Sequence, residues 1–321
     1  MTNMEEKTLT GKTSERQGGD TCAAGKVALI TGSASGIGRA LACEFMRKGF
    51  LVCATDKDAE KLQDLQKDGA DTFYLDVTDT ESVRKCIADI ISKYRRIDYV
   101  INNAGYGYIG PTVEMNISGM KKQFDVNFFG CIDIIQAVFP YMASQDGGGT
   151  IVDMSSISAV LTPAYSGAYS ASKAALHTMS DSLRLELHPW GINVISVQPG
   201  RIGTNFGTNA EIKSSGKDSG ESRYRLLSHF IKDRANSCVE GKPTTPEEFA
   251  KKLVAKITRR NPPHIIRLGK DSLFLPAIKA LLPSRLLHRM LLKKYGLDML
   301  KLHVDRQRKE NWNYLEQELA P

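Results

Sequence analysis

Tyr169-Ser-Ala-Ser-Lys173 sets a phenol and an ammonium four residues apart, and Ser156 stands thirteen residues upstream of the tyrosine. Residues four apart share one face of a helix, so the cation can sit near the phenol and favour its ionised form. A free phenol has a pKa of about 10, too high for acid-base work at neutral pH; a fixed cation moves it toward the working range. A hydroxyl such as Ser156 can hydrogen-bond a substrate carbonyl oxygen. Together these groups make a proton shuttle for a reaction that interconverts a carbonyl and an alcohol. The same spacing alone also fits a packed ring and a solvated amine, so the meaning rests on its neighbours.

The first neighbour is a glycine-rich turn. Lys26-Val-Ala-Leu-Ile-Thr31 is a short apolar run that enters Gly32-Ser-Ala-Ser-Gly36-Ile-Gly38, after which Arg39 to Lys48 carries helical spacing that stops at Gly49. A strand, a glycine turn and a helix in that order let backbone approach a pyrophosphate at a helix N-terminus. Asp56 ends the next apolar run eighteen residues beyond Gly38, where a carboxylate can accept hydrogen bonds from adenosine ribose hydroxyls. That acid also repels a 2′-phosphate and argues for NAD, whereas Lys57 beside it could pair with a 2′-phosphate and argues for NADP. The balance favours NAD.

The elements that must position these groups alternate. Strands are expected at 26–31, 50–55, 72–75, 99–101, 150–154, 193–197 and 264–268, with helices near 39–48, from 59, and at 79–94, 113–143, 167–188, 224–235 and 245–260. Thr244-Thr-Pro-Glu-Glu248 has a hydroxyl cap, proline in the first turn and acids after it, a good helix start. Alternation of this kind implies a parallel sheet covered on both faces. Residues 205–222, rich in Gly, Ser, Lys and Asn, are expected to be a mobile loop.

With 321 residues and 41% hydrophobic content, the chain fits one large α/β domain with appendages. The net charge of +7 is concentrated in the Lys- and Arg-rich segment 251–309, and no nucleic-acid motif accompanies it. Six cysteines show neither CxxC spacing nor histidine partners, which points to a reduced cytoplasmic setting and to no metal site. The first 24 residues are polar, lack a secretory h-region and are expected to be disordered. No run of about 18 apolar residues is present, which argues against a membrane span.

The motifs resemble those of the short-chain dehydrogenase/reductase family. Thr31-Gly32-x-x-x-Gly36-Ile37-Gly38, Asp76, Asn102-Asn103-Ala104-Gly105, Asn127, Ser156, Tyr169-x-x-x-Lys173 and Pro199-Gly200 follow the family's order and spacing over residues 25 to 204. The resemblance implies a Rossmann-type, doubly wound fold: a seven-stranded parallel sheet with helices on both faces, here at 25–270, followed by a basic helical extension at 271–321. It implies Tyr169 as proton donor or acceptor, Lys173 lowering its pKa and holding the nicotinamide ribose, Ser156 on the substrate oxygen and Asn127 on a water chain to solvent. For the nucleotide it implies Gly32, Ser33, Ser35, Gly36, Ile37 and Gly38 at the turn, Asp56 and Lys57 at the ribose, and Asp76 and Val77 near the adenine. Asn103, Ala104 and Gly105 are then expected beside the ribose, and Pro199, Gly200, Ile202 and Thr204 near the nicotinamide, with Tyr169 and Lys173 shared by both sets.

Within the family, Tyr169 to His177 and Leu286 to Leu297 are similar to 1-acyldihydroxyacetone-phosphate reductases and to steroid- and retinol-dehydrogenase-like members. The first group uses NADPH and commonly has arginine where this chain has Asp56-Lys57. The expected activity is hydride transfer between NAD or NADP and a secondary alcohol or ketone of a hydrophobic, lipid-like molecule such as acyl-dihydroxyacetone phosphate. Alternatives are a steroid or retinoid dehydrogenase and a cofactor-binding scaffold without turnover. The substrate loop is placed at about 205–245, and a homo-dimer or tetramer is expected through the helices near 113–143 and 167–188. The stretch 272–295 sets many leucines beside Lys279, Arg285, Arg289, Lys293 and Lys294 and is broken by Pro276 and Pro283. It reads as a lid over the substrate cleft, as a helix on an anionic membrane surface, or as both.

Overall fold

Seven apolar runs form strands of one parallel sheet in the computed structural model: β1 Val27–Thr31, β2 Leu51–Asp56, β3 Asp71–Tyr74, β4 Tyr99–Asn102, β5 Gly149–Met154, β6 Ile192–Pro199 and β7 Ile265–Leu268. Their spatial order is β3-β2-β1-β4-β5-β6-β7. The structure describes residues 25–204, 206, 211–212, 222–239 and 241–319. The expected disordered segment 1–24 and most of the expected mobile loop 205–222 lie outside the described residues.

Each central strand is apolar on both faces because helices cover both. Ala28 and Ile30 of β1 join one core, with Leu41 and Phe45 of α1 (Gly36–Arg47) and Phe249 and Leu253 of α7 (Pro246–Ile257). Val27 and Leu29 point the other way, into a core with Ile87 and Ile90 of α2 (Thr80–Tyr94) and Ile134 and Val138 of α4 (Gly130–Ser144). This is the two-residue alternation of a strand read through two cores. Full burial of a side chain such as Phe45 or Phe249 contributes about 1.5–3 kcal/mol.

Local signals set the helix ends. The Asp79 carboxylate accepts from Glu81 N (3.0 Å) to start α2, and Thr245 Oγ1 accepts from Glu248 N (3.1 Å) to start α7. The expected helix over 113–143 is interrupted: a short turn at Thr112–Glu114 precedes α3 (Ile117–Phe124), and a wider π-type turn at Asp125–Phe129 separates it from α4. The helical stretch Ile117–Ser144 has the length and apolarity to cross a bilayer, yet α4 buries Ile134, Ile135, Val138 and Met142 against the sheet side, as a core helix does. The long helix α5 (Gly167–Glu186) carries the Tyr-Lys pair.

Beyond β6, α6 (Ser228–Asn236) buries Ile231 and Ala235 in an apolar cluster with Ile109, Tyr165 and Tyr169. The C-terminal extension is three helices: α8 (Phe274–Leu281), α9 (Ser284–Lys294) and α10 (Leu297–Leu319). Pro276 does not break the chain as the sequence suggested, because it lies in the first turn of α8, where a missing N–H removes no helical bond. The break comes at Leu282–Pro283 alone. The extension is fastened to the body where Tyr165 Oη donates to Tyr295 O (2.6 Å) and where Lys279 Nζ donates to Val160 O.

Candidate active site

β1 and β4 are neighbours, and from them the strand order runs in opposite directions, so their carboxyl ends open a crevice at the topological switch point. Thr31 closes its floor. Its hydroxyl donates to Ile101 O (3.3 Å) and accepts from Asn103 N (3.0 Å) and Ala104 N (2.9 Å), while Asn103 Nδ2 donates to Thr31 O (2.8 Å). This mesh holds Asn103 to Gly105 against the glycine turn.

The turn itself requires glycine for two reasons. Gly32 and Gly36 have φ of +68° and +55°, which β-carbons resist. Gly38 has ordinary backbone angles, but a Cβ there would lie 2.1 Å from Gly32 O and 2.6 Å from Asn103 Nδ2. Asp56 turns back toward this loop: one carboxylate oxygen accepts from Ala34 N (3.1 Å) and the other from Asp58 N (3.1 Å). Each oxygen keeps a lone pair for a further donor. Lys61, which the sequence reading did not single out, also lines the crevice and is paired with Asp58. Burial tends to raise the Asp76 carboxyl, but hydrogen bonds from Thr78 N and Oγ1 (2.9 and 2.7 Å) prevail and hold it below the usual range.

At the other end of the crevice stand the reactive groups. Lys173 is buried, and its ammonium donates to Met154 O (2.7 Å). A Cβ on Gly105 would lie 3.0 Å from Asn127 Oδ1 and 3.3 Å from Lys173 Nζ, so glycine keeps that corner open. Asn127 lies in the π-type turn, where its Oδ1 accepts from Tyr106 N (3.0 Å) and its Nδ2 donates to Tyr106 O (3.0 Å) and Ser172 Oγ (3.1 Å). It braces the wall and does not line the crevice. Ser155 Oγ donates to Lys173 O (2.8 Å), a tie between β5 and α5, and this leaves its neighbour Ser156 facing the phenol.

Burial pushes the Tyr169 phenol above its ordinary value; a hydrogen bond with Ser156 and the charge of Arg234 pull it back. The four-residue spacing had assigned that pull to Lys173. In the structure the ammonium is engaged by Met154 O, and burial lowers its own pKa. Arg234 was not foreseen, because nothing in the α6 sequence distinguishes it from a solvated arginine.

The crevice encloses about 850 Å³. Of the sequence-derived nucleotide residues it brings together Gly32, Ser35, Gly36, Ile37, Asp56, Lys57, Asp76, Val77, Asn103, Ala104, Gly105, Pro199, Gly200, Ile202 and Thr204, with Ser156, Tyr169 and Lys173 at one end. Ser33 is not on its surface: the side chain is fully buried and donates to Ile30 O (2.8 Å). Gly38 is likewise absent from the wall and acts by letting turn and helix pack. Residues that sequence reasoning missed include Tyr106, Lys122, Phe206 and Cys238. They arrive from loops and helices without a motif. Among the described residues no cluster suited to a metal ion occurs.

A dinucleotide fits this cradle by its shape, by the glycine turn, which has no room for a Cβ at Gly32 or Gly38, and by the Asp56 carboxylate, whose oxygens keep lone pairs for a further donor such as a ribose hydroxyl. Such a crevice ending in a hydroxyl, a phenol and an ammonium defines the class as an NAD(P)-type oxidoreductase. Comparison with known proteins agrees. The family model described as short chain dehydrogenase matches residues 26–214. A 3-ketodihydrosphingosine reductase of Bacteroides thetaiotaomicron is 34% identical over 248 residues, which cover 76% of this chain and 88% of that protein. An NADPH-dependent 1-acyldihydroxyacetone phosphate reductase of Schizosaccharomyces pombe is 41% identical over 184 residues, 56% of this chain and 61% of that one. A crystal structure of a short-chain dehydrogenase from Streptomyces avermitilis superposes with a TM-score of 0.69 at 29% identity, over 90% of this chain and 98% of that one. The chain belongs to the short-chain dehydrogenase/reductase family.

Proposed function

We propose that this oxidoreductase interconverts the ketone and secondary alcohol of a hydrophobic, lipid-like molecule. The observation that carries the reading is the wall beyond Tyr169. The Phe206 ring lines the crevice 5.4 Å from the Tyr169 ring and is backed by an apolar cluster in which Tyr165, Leu227, Ile231 and Tyr295 are buried. An aromatic ring held in that position favours an apolar group next to the reacting carbon. The two relatives named for 3-ketodihydrosphingosine and 1-acyldihydroxyacetone phosphate support the same substrate class.

Bound NAD or NADP supplies or accepts the hydride. In the direction of reduction the substrate oxygen gains negative charge and needs a proton and fixed donors. Ser156 holds that oxygen, Tyr169 delivers the proton from its Oη, and Lys173 contributes positive potential at the nicotinamide end. Asn127, with Gly105, keeps the corner around the ammonium open for proton return to solvent. Asp56 favours NAD over NADP by accepting from the ribose and repelling a 2′-phosphate, and Lys57 opposes it.

The extension supports a second part of the reading, peripheral contact with an anionic lipid surface. Phe274 is 63% exposed and Leu281 81%, and Leu273, Leu286 and Met290 are exposed with them, beside Lys279, Arg285, Arg289, Lys293 and Lys294. Exposed Phe129, Tyr141, Leu185 and Trp190 on and near the long helices favour a homo-oligomer through that face.

Chain length is the test. Across 2-ketones of increasing length, kcat/KM rises with each added methylene up to the length the wall can hold; a flat profile overturns the lipid-like reading. Vesicles containing phosphatidylserine float the protein at low salt and release it as salt rises. No flotation at low salt overturns the membrane part alone.

A further inference from the structure

α5 carries the reactive phenol in its first turn, and that turn lacks the usual holds. Ser166, which precedes Gly167, gives no side-chain hydrogen bond to the open N–H groups, and among the described residues its hydroxyl has no partner. The first turn holds no acid and begins with glycine. A capping side chain and an acid are what ordinarily fix a helix start. Tyr169 stands only three residues after Ser166, so its position depends on whatever else holds the turn.

The hold is the residue before the cap. Tyr165 has φ of +64°, a left-handed conformation that a bulky residue keeps only where its surroundings impose it. Its carbonyl accepts from Gly110 N (2.8 Å), and its ring is buried. Its Oη donates to Tyr295 O (2.6 Å), and the two rings meet edge to face with centroids 6.0 Å apart. Burial pushes the Tyr165 phenol up to about 12, so it remains a donor at neutral and mildly alkaline pH.

The acceptor is held as firmly. Tyr295 is buried, and its carbonyl belongs to the peptide bond with Gly296, whose φ is +71° and where a Cβ would run into the Phe230 ring. Tyr295 directly follows α9, and Leu291 of α9 packs with Leu297 and Leu300 of α10 on the apolar cluster that contains Tyr165 and Tyr169. One hydrogen bond and one cluster thus join the extension to the turn that carries the phenol.

We propose that the C-terminal extension is part of the catalytic apparatus: Tyr165, clasped to Tyr295 O, is a positioning residue that holds the first turn of α5 so that the Tyr169 phenol faces Ser156 and the substrate oxygen. This rests on the reading of Tyr169 as proton donor and adds a second requirement, an extension docked at Tyr295. Proton transfer needs donor and acceptor within hydrogen-bond reach, so a loosened turn slows the chemical step. Tyr165 does not line the crevice, so its effect on turnover passes through Tyr169.

The test begins with Tyr165→Phe, which keeps the ring and removes only the donor. With turnover counted per nucleotide-binding site, which discounts unfolded protein, kcat falls by about tenfold for a short and a long ketone alike, while ketone KM and nucleotide Kd stay within about twofold. Gly296→Ala, an arm that needs no change at Tyr165, displaces the acceptor carbonyl and lowers kcat with the same split. Tyr169→Phe supplies the background that separates positioning from general structure: there Tyr165→Phe leaves the residual turnover unchanged, because the group it positions is gone. Wild-type kcat in either Tyr165→Phe or Gly296→Ala overturns the proposal, as does an equal fall on adding Tyr165→Phe to the wild type and to Tyr169→Phe. Wild-type turnover in Tyr169→Phe overturns the proton-donor reading itself and the clasp with it. Loss of turnover in Tyr169→Phe beside full kcat in Tyr165→Phe removes the clasp alone.

Discussion

The Lys173 ammonium is buried and donates to Met154 O at 2.7 Å. Burial depresses its pKa, so the folded state binds that proton less tightly than the unfolded state does. The sign follows: the penalty is present at neutral pH, and it fades as pH rises through the folded value toward the unfolded one near 10.5. Lys173→Met should lower kcat by about 10²-fold or more while leaving Tm unchanged or raised, because an apolar chain of similar length removes a buried charge. A large fall in Tm would show that the ammonium is structural. Tyr169→Phe keeps the ring against Phe206 and loses only the proton donor and its bond to Ser156. Turnover should fall by about 10²- to 10⁴-fold with stability reduced by about 1 kcal/mol or less, as read by steady-state kinetics and chemical denaturation.

At the scale of elements, the glycine turn makes a sharper prediction than the strands do. Gly38→Ala should cost about 1–3 kcal/mol and abolish nucleotide binding, since its Cβ would meet Gly32 O at 2.1 Å and neither backbone can yield cheaply. Gly49→Ala, where φ is +82° but no atom lies within 4 Å, should cost less and leave nucleotide affinity intact. Calorimetric titration with NAD and NADP separates the two. The strands and this turn were legible in the sequence because each is a local pattern: Val-Ala-Leu-Ile before Gly32, Val-Cys-Ala-Thr before Asp56. The π-type turn at Asp125–Phe129 was not, because it differs from an α-helix only in which carbonyl each N–H reaches. Ser33 was assigned to the nucleotide from its place in the motif, yet its hydroxyl turns to Ile30 O, a choice fixed by the strand end and not by residue type. Phe206 and Cys238 reach the crevice through the tertiary path of the segments before and after α6, which carry no periodicity.

For the whole molecule, five described cysteines report how the layers enclose one another. Cys53, Cys86 and Cys131 are buried between sheet and helices, and burial pushes the Cys86 and Cys131 thiols to about 12. Of the described thiols a maleimide should therefore label Cys43 readily and those three only after unfolding, which peptide mass mapping can follow. Cys238 lines the crevice and should be shielded when nucleotide and substrate are bound. The proposed function requires this crevice to be a working catalyst for a lipid-like ketone, with Tyr169 as its proton donor. The most direct measurement offers a long-chain ketone with nicotinamide nucleotide deuterated at the transferring position, NADH and NADPH in parallel, and follows deuterium into the product by mass spectrometry. The wild-type protein should place one deuterium on the carbinol carbon, and Tyr169→Phe should lose that transfer while still binding the nucleotide. Tight nucleotide binding with no transfer to any ketone by the wild-type protein would contradict the account.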